Sequence, residues 1–138
     1  MVGLDLLAPT VLIVEDAESE RAVMRDLLEA EGIAVVAEAG DGAEAVDRAV
    51  QTRPDVVLMD LRMPGMGGIE ATRRIKVALP TTQVIILTVY EGPLPERSAE
   101  EVGAYAYLVK GCSPSLIRDV ILQARNYKTG LDASARES

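Results

Sequence analysis

Asp60 closes an apolar run, Val56-Val57-Leu58-Met59, and opens a loop of Leu61-Arg62-Met63-Pro64-Gly65-Met66-Gly67-Gly68. Two other apolar runs end in groups able to do chemistry: Val11-Leu12-Ile13-Val14 runs into Glu15-Asp16, and Val84-Ile85-Ile86-Leu87 into Thr88. A shorter run, Tyr107-Leu108-Val109, ends in Lys110. Runs this short and this apolar are predicted to be strands of a parallel sheet buried on both faces, and open sheets of that kind gather their functional groups at the carboxyl edge. The runs would bring the Glu15, Asp16 and Asp60 carboxylates, the Thr88 hydroxyl and the Lys110 ammonium to that one edge. Each residue alone has a plain structural explanation, as a cap for the helix that follows or as a solvated strand end. Together they call for more, because carboxylates ~5 Å apart repel by about 3 kcal/mol per pair at an effective dielectric near 20. A cation is expected among them.

With no histidine and a single cysteine in the chain, the donors on offer are hard oxygens, and they favour Mg²⁺, which uses one or two carboxylates plus water. With that charge in place Asp60 stays ionised and can attack phosphorus to give an aspartyl-phosphate. Lys110 would pair with one phosphoryl oxygen and the Thr88 hydroxyl would donate to another, so that catalysis reduces to positioning and electrostatic stabilisation.

The elements that must position these groups alternate along the chain. Val23, Met24, Leu27 and Leu28 recur at helical spacing after the first strand, with Gly32 as a stop; Ile33 to Glu38 reads as the second strand. Ala43, Val46, Ala49 and Val50 mark a second helix closed by Pro54, and Asp55 to Met59 form the third strand. Ile69, Thr72 and Ile75 share one face of a third helix that ends before Pro80, and Gln83 to Leu87 follow as the fourth strand. Pro93 and Pro95 cannot lie in a helix interior, so the fourth helix is predicted over roughly Glu96 to Val102. Ser113-Pro114 supplies an N-cap and an N1 proline for a last helix with Leu116, Ile117, Val120, Ile121 and Ala124 inside. Five strand–helix alternations predict an α/β domain, doubly wound, with right-handed crossovers and helices on both faces of a parallel sheet.

Composition removes several function classes. A chain of 138 residues suits one domain. Its net charge of −8 argues against direct nucleic-acid binding, which depends on neutralising phosphates, and 3% aromatics leave no stacking platform. The absence of histidine removes histidine triads, histidine-ligated zinc and any role as a phosphohistidine donor. Cys112 has no intrachain partner and fits a reducing compartment. Residues 1–10 carry Asp5 and no basic residue, unlike a secretion leader, and no apolar stretch approaches the ~20 residues of a membrane span. The expectation is a soluble cytoplasmic protein that does not engage membranes.

In combination the motifs resemble the receiver domain of two-component response regulators, over about Thr10 to Tyr127. The resemblance rests on Val14-Glu15-Asp16, on Val57-Leu58-Met59-Asp60-Leu61-Arg62-Met63-Pro64 with Gly68 and Glu70, on Leu87-Thr88, and on Gly103-Ala104 leading to Tyr107-Leu108-Val109-Lys110. It implies a flavodoxin-like (βα)5 fold with strand order 2-1-3-4-5 and a phospho-acceptor domain over 1–128, while the residues themselves after Lys128, Thr129-Gly130-Leu131-Asp132-Ala133-Ser134, read as a polar tail or truncated linker over 129–138. By the same resemblance Asp60 is the phosphorylated residue and Asp16 a direct Mg²⁺ ligand. Glu15 completes the acidic pocket, and the main-chain carbonyl of Arg62 is a further ligand. Thr88 and Lys110 read the phosphoryl group, and Tyr107 is the switch aromatic that changes rotamer as Thr88 is drawn toward the phosphate. Lys110-Gly111-Cys112-Ser113-Pro114 resembles the nitrate-regulator-like branch, whose receivers precede a helix-turn-helix effector. The partners implied are a sensor histidine kinase, a second copy of the chain, and an output partner or a DNA-binding domain beyond Ser138. The activity implied is Mg²⁺-dependent self-phosphorylation from a phosphodonor, with autodephosphorylation, and not that of an ordinary enzyme.

The chain departs from the family pattern at Val89, where a smaller residue is usual, and at Pro93 and Pro95. Arg62 and Tyr90 are bulky at positions that tune phosphate lifetime in the family. Two rival readings follow. A receiver fold that signals without phosphate is one. The other is dinucleotide binding, since Gly40-Asp41-Gly42-Ala43-Glu44-Ala45 satisfies a loose glycine-rich pattern with Asp60 about 20 residues beyond it. That reading leaves Glu15, Asp16, Thr88 and Lys110 without a role, and Asp41 suits a pyrophosphate poorly.

Overall fold

A computed structural model describes residues 7–137, and of residues 128–137 the backbone alone. Strands β1 (Thr10–Val14), β2 (Ala34–Ala39), β3 (Val56–Met59), β4 (Gln83–Thr88) and β5 (Ala106–Val109) alternate with helices α1 (Glu18–Ala30), α2 (Gly42–Thr52), α3 (Gly68–Ala78), α4 (Pro93–Glu101) and α5 (Pro114–Glu137). The strands form one sheet in the order β2-β1-β3-β4-β5, and every neighbouring pair is parallel. This is the doubly wound, flavodoxin-like order expected from the sequence.

The apolar runs are continuous because β3 and β4 are buried throughout, while the period of two along each strand assigns alternate side chains to opposite faces. Leu12, Val14, Val57, Met59, Val84 and Ile86 pack on the face covered by α2, α3 and α4. Val11, Ile13, Val56, Leu58, Ile85 and Leu87 pack on the other, against Leu28 of α1 and Ile117, Ile121 and Ala124 of α5. Ala45, Ala49, Ala71 and Ala99 keep the first of these layers thin, since each is buried and offers only a methyl group.

Helix ends follow the punctuation of the sequence. Gly32, with φ of 83°, takes the left-handed position after α1; its amide donates to the Glu29 carbonyl and that of Ile33 to the Leu28 carbonyl. Leu28 and Ile33 then meet in the core, completing a Schellman stop. Ser113 Oγ accepts from the Leu116 amide at 3.2 Å and caps α5.

The fourth helix corrects the expected boundary. It runs from Pro93 to Glu101, not from Glu96 to Val102, and Gly92 is its N-cap. Pro93 and Pro95 occupy the first turn, where amides have no intrahelical acceptor and a missing N–H costs nothing. The first helical bond that needs a donor runs from the Glu96 amide to the Gly92 carbonyl, at 3.3 Å. At the other end of the chain, the helical backbone of α5 passes through the segment read as a polar tail and reaches Glu137.

Candidate functional site

The carboxyl edge of the sheet is held by the strand ladder continued one residue past the strands. The Asp60 amide donates to the Val14 carbonyl at 3.1 Å, the Glu15 amide to the Ala39 carbonyl at 3.0 Å, and the Lys110 amide to the Thr88 carbonyl at 2.8 Å. Side chains then turn the chain away from the edge: Asp60 Oδ1 accepts from the Arg62 amide at 3.1 Å, and Glu15 Oε2 from the Ala17 amide at 3.1 Å. The loop after Asp60 folds back so closely that a β-carbon on Gly68 would lie 2.4 Å from the Asp60 carbonyl oxygen and 2.8 Å from Leu61 Cα. Only glycine fits there.

An oxygen from each of Glu15, Asp16 and Asp60 lies within 4.8 Å of the other two. Glu15 and Asp60 are buried and Asp16 faces solvent. The Lys110 ammonium sits among them, 2.5 Å from Glu15 Oε1 and 2.9 Å from Asp60 Oδ2. Burial pulls Lys110 toward the neutral form, but Asp60 and Glu15 outweigh it and hold the ammonium above the ordinary lysine range. For Asp60 burial acts against ionisation, and Lys110 and the Arg62 amide outweigh it, so the carboxyl lies below its usual value. Glu15 shares the same lysine yet is raised, because burial dominates and neighbouring Asp16 adds to it. Asp60 is therefore the better ionised of the two buried acids.

Thr88 is fully buried, and its hydroxyl is the buried side-chain polar atom without a hydrogen-bond partner among the described residues. An orphaned hydroxyl carries a desolvation cost of about 1–3 kcal/mol that a ligand at this edge would relieve. Hard carboxylate oxygens, an unsatisfied donor and one ammonium form a set that fits Mg²⁺ and a phosphoryl group, and among the described residues no cysteine joins the acidic cluster.

The structure thus brings Glu15, Asp16, Asp60, Thr88 and Lys110 to one edge. Arg62 reaches the site through its amide. Tyr107 is attached differently: its hydroxyl donates to the Tyr90 carbonyl at 2.8 Å, tying β5 to the loop between β4 and α4. A groove of about 450 Å³ between α1 and α5 opens onto Asp60 and Lys110, with Val23, Met24, Leu27 and Ile117 as its apolar walls. Val89 and Tyr90 are about half exposed, and neither lines this groove.

Two residues of α1 escaped the reading of the sequence. Glu20 Oε1 lies 3.3 Å from the Lys110 ammonium. Arg21 donates to the Glu15 carbonyl at 2.6 Å and to Glu38 at 3.0 Å, fixing the loop that carries Glu15 and Asp16. Their place in the first turn after Asp16 was legible, but the side of the helix they present was not.

The glycine-rich segment proves to be a helix cap. Asp41 Oδ1 accepts from the Glu44 amide at 2.8 Å, and Glu44 Oε1 from the Gly40 amide at 2.8 Å. A β-carbon on Gly42 would lie 2.3 Å from the Met66 carbonyl oxygen, so this turn packs against protein, and the Gly40 and Glu44 amides are already taken by carboxylates. Among the described residues no helix is long and apolar enough to cross a membrane.

Comparison with known proteins agrees with this geometry. The response regulator receiver domain family matches residues 11–122. The chain is 43% identical to the response regulator UvrY of Escherichia coli (strain K12) over 122 residues, 87% of this chain and 54% of that protein. It is 42% identical over 103 residues to the response regulator GacA of Pseudomonas aeruginosa, 73% of this chain and 48% of that protein. The chain spans about half the length of these curated relatives. Among solved structures, a LuxR-family two-component response regulator from Aurantimonas sp. SI85-9A1 has a TM-score of 0.82 at 37% identity, covering 86% of each chain. The receiver domain of NarL from Mycobacterium tuberculosis has a TM-score of 0.81 at 29% identity, covering 86% of this chain and 97% of that one. These relatives support the nitrate-regulator-like branch.

Proposed function

We propose, from the premise that this chain belongs to the response regulator receiver family of two-component systems, that Asp60 accepts a phosphoryl group from a phosphohistidine of a sensor kinase. The observation that carries the reading is Lys110 set between Asp60 and Glu15 beside a buried Thr88 hydroxyl that lies near Asp60 but makes no hydrogen bond of proper geometry. An Asp60 carboxylate oxygen forms the new O–P bond as the N–P bond of the donor breaks, and that electron pair stays on the imidazole nitrogen. Asp60 is suited to this because its carboxyl is kept ionised where water is largely excluded. Lys110 follows the charge onto the phosphoryl oxygens, and Thr88 donates its free hydroxyl to another of them.

Asp16, Glu15, Asp60 and the Arg62 carbonyl would hold Mg²⁺, which supplies positive charge against the carboxylates and the incoming phosphoryl oxygens. The Arg62 amide on Asp60 is consistent with that ligand role, since it anchors the Arg62 backbone beside the acceptor carboxylate. Movement of Thr88 toward the phosphoryl group would shift the loop between β4 and α4, to which Tyr107 is tied through Tyr90. Phosphorylation then acts by biasing two conformations of that surface.

Response regulators pair with histidine kinases and carry effector domains. For this chain the kinase, a cytoplasmic location, self-association, and an effector following a receiver of residues 1–128 belong to the proposal. The test is phosphate incorporation from acetyl phosphate with and without Mg²⁺, read by intact mass on wild type and Asp60→Asn. A Mg²⁺-dependent gain of one phosphoryl group, absent in the variant, is expected. Folded protein that gains none, and that also fails to bind beryllofluoride with Mg²⁺, would establish a phosphate-independent module instead.

A further inference from the structure

We infer that Glu20 is a donor-selecting residue: its carboxylate, paired with Lys110 at the rim of the α1–α5 groove, disfavours small anionic phosphodonors. The inference rests on Asp60 being the phospho-acceptor.

An ammonium has three N–H groups, and here each has a carboxylate within reach: Glu15 at 2.5 Å, Asp60 at 2.9 Å and Glu20 at 3.3 Å. Glu15 and Asp60 belong to the acidic cluster, and Glu20 does not. Its side chain is 58% exposed, against 9% and 4% for the other two, so it is the partner that faces incoming donors. Glu20 also lines the groove that opens onto Asp60, with Ser19 and Val23 beside it on α1.

The charge count gives the direction. Lys110 touches Glu15, Asp60 and Glu20, and Asp16 adds a fourth carboxylate beside Glu15 and Asp60. A Mg²⁺ held by the cluster would offset two of these charges but would not touch Glu20, which both repels an approaching phosphoryl dianion and occupies an ammonium that must turn toward it. A protein donor that sets a lysine or arginine opposite Glu20 escapes this penalty, and acetyl phosphate cannot. Glu20 is thus a positioning residue that acts through Lys110 and through its own charge.

The bland alternative is an acid in the first turn of α1 that serves the helix dipole, since Ala17 provides no side-chain cap. That role would change stability and would be indifferent to the donor. The experiment compares wild type, Glu20→Gln and Glu20→Asp at saturating Mg²⁺ with two donors: acetyl phosphate, a dianion at neutral pH, and phosphoramidate, a net monoanion. Asp60→Asn serves as the mass control, and circular dichroism confirms that each variant is folded.

The expected result for Glu20→Gln is an acetyl phosphate rate raised on the order of fivefold at low ionic strength, with the gain in the donor concentration at half-maximal rate. That gain shrinks at ~0.5 M salt and is smaller with phosphoramidate, and Glu20→Asp stays near wild type. Equal changes with both donors, or a rate that falls or does not move, would overturn the inference. Wild type that takes no phosphoryl group at Asp60 would instead overturn the functional reading beneath it.

Discussion

Lys110, at the end of β5, reaches past β4 to place its ammonium 2.9 Å from Asp60 Oδ2 at the end of β3, 50 residues earlier in the chain. The same nitrogen bonds Glu15 at the end of β1, so one cation spans the working edge of the sheet. It stands in the acidic cluster where a divalent ion would also be drawn, and this competition shapes the behaviour expected of the site.

Replacing Lys110 by Met should have opposite effects on binding and on chemistry. Mg²⁺ affinity should rise, by about tenfold, because the carboxylates lose their internal cation and repel one another more. Phosphorylation from acetyl phosphate should fall by about 10² or more if the ammonium binds the phosphoryl group as proposed. Calorimetric Mg²⁺ titration and intact mass measure the two, and a parallel loss of both would contradict the arrangement.

Glu15 and Asp60 should pull the pH dependence of stability in opposite directions. Asp60 is depressed in the folded state, so the stability it contributes is present above its unfolded value of 3.8 and is lost as pH falls through the lower folded value. Glu15 is raised, so the stability it costs above its folded value is recovered as pH falls through that value toward 4.5, and no further change comes below 4.5. Lys110 is raised, and its contribution holds below 10.5 and is lost as pH rises through the folded value. Urea midpoints without Mg²⁺ should therefore show a shallower acid limb for Asp60→Asn than for wild type. Glu15→Gln should raise the midpoint at neutral pH, and Mg²⁺ should reduce that advantage.

Glycines in the loop after Asp60 should not be equivalent. Gly68→Ala pushes a methyl into the Asp60 carbonyl and Leu61 backbone, and should cost about 1–3 kcal/mol while shifting the amide resonance of Asp60. Gly65 has φ of 68° and open space around its missing β-carbon, so Gly65→Ala should cost about 1 kcal/mol with little change at the site. Urea unfolding with an NMR spectrum of each variant checks both statements.

The two prolines of α4 should stabilise the fold. Because both sit in the first turn, Pro95→Ala should lower stability by about 0.4–1 kcal/mol through the added freedom of the unfolded chain. A gain in stability from that substitution would mean that Pro95 strains the helix.

The sequence by itself determined which residues stand at the working edge. Strands buried on both faces must be continuously apolar, so the polar residue that ends each such run, Glu15 after β1, Asp60 after β3 and Thr88 as the last residue of β4, marks the carboxyl edge of the sheet, and Lys110 marks it after the half-buried β5. Glycine and proline marked most helix ends for equally local reasons, as Gly32 and Pro114 show. Local punctuation failed where two meanings compete, since Pro95 reads as a breaker until the helix start, and so the turn it occupies, is known, and it failed again where the backbone of α5 continues through the residues read as a polar tail.

Only the tertiary structure decided who meets whom at that edge. Glu20 and Arg21 are adjacent in the chain, yet one bonds Lys110 and the other the Glu15 carbonyl and Glu38. That division depends on how α1 is rotated about its axis, which is set by Leu28 packing with Ile117 and Ile121 of α5 against the sheet. The unpartnered Thr88 hydroxyl is likewise a property of its neighbours, since a threonine is left unsatisfied only when the packing around it closes off both water and protein. Spacing along a chain sets which groups arrive together, and burial and helix rotation set which of them are left with charge and hydrogen-bonding capacity to spend on a ligand.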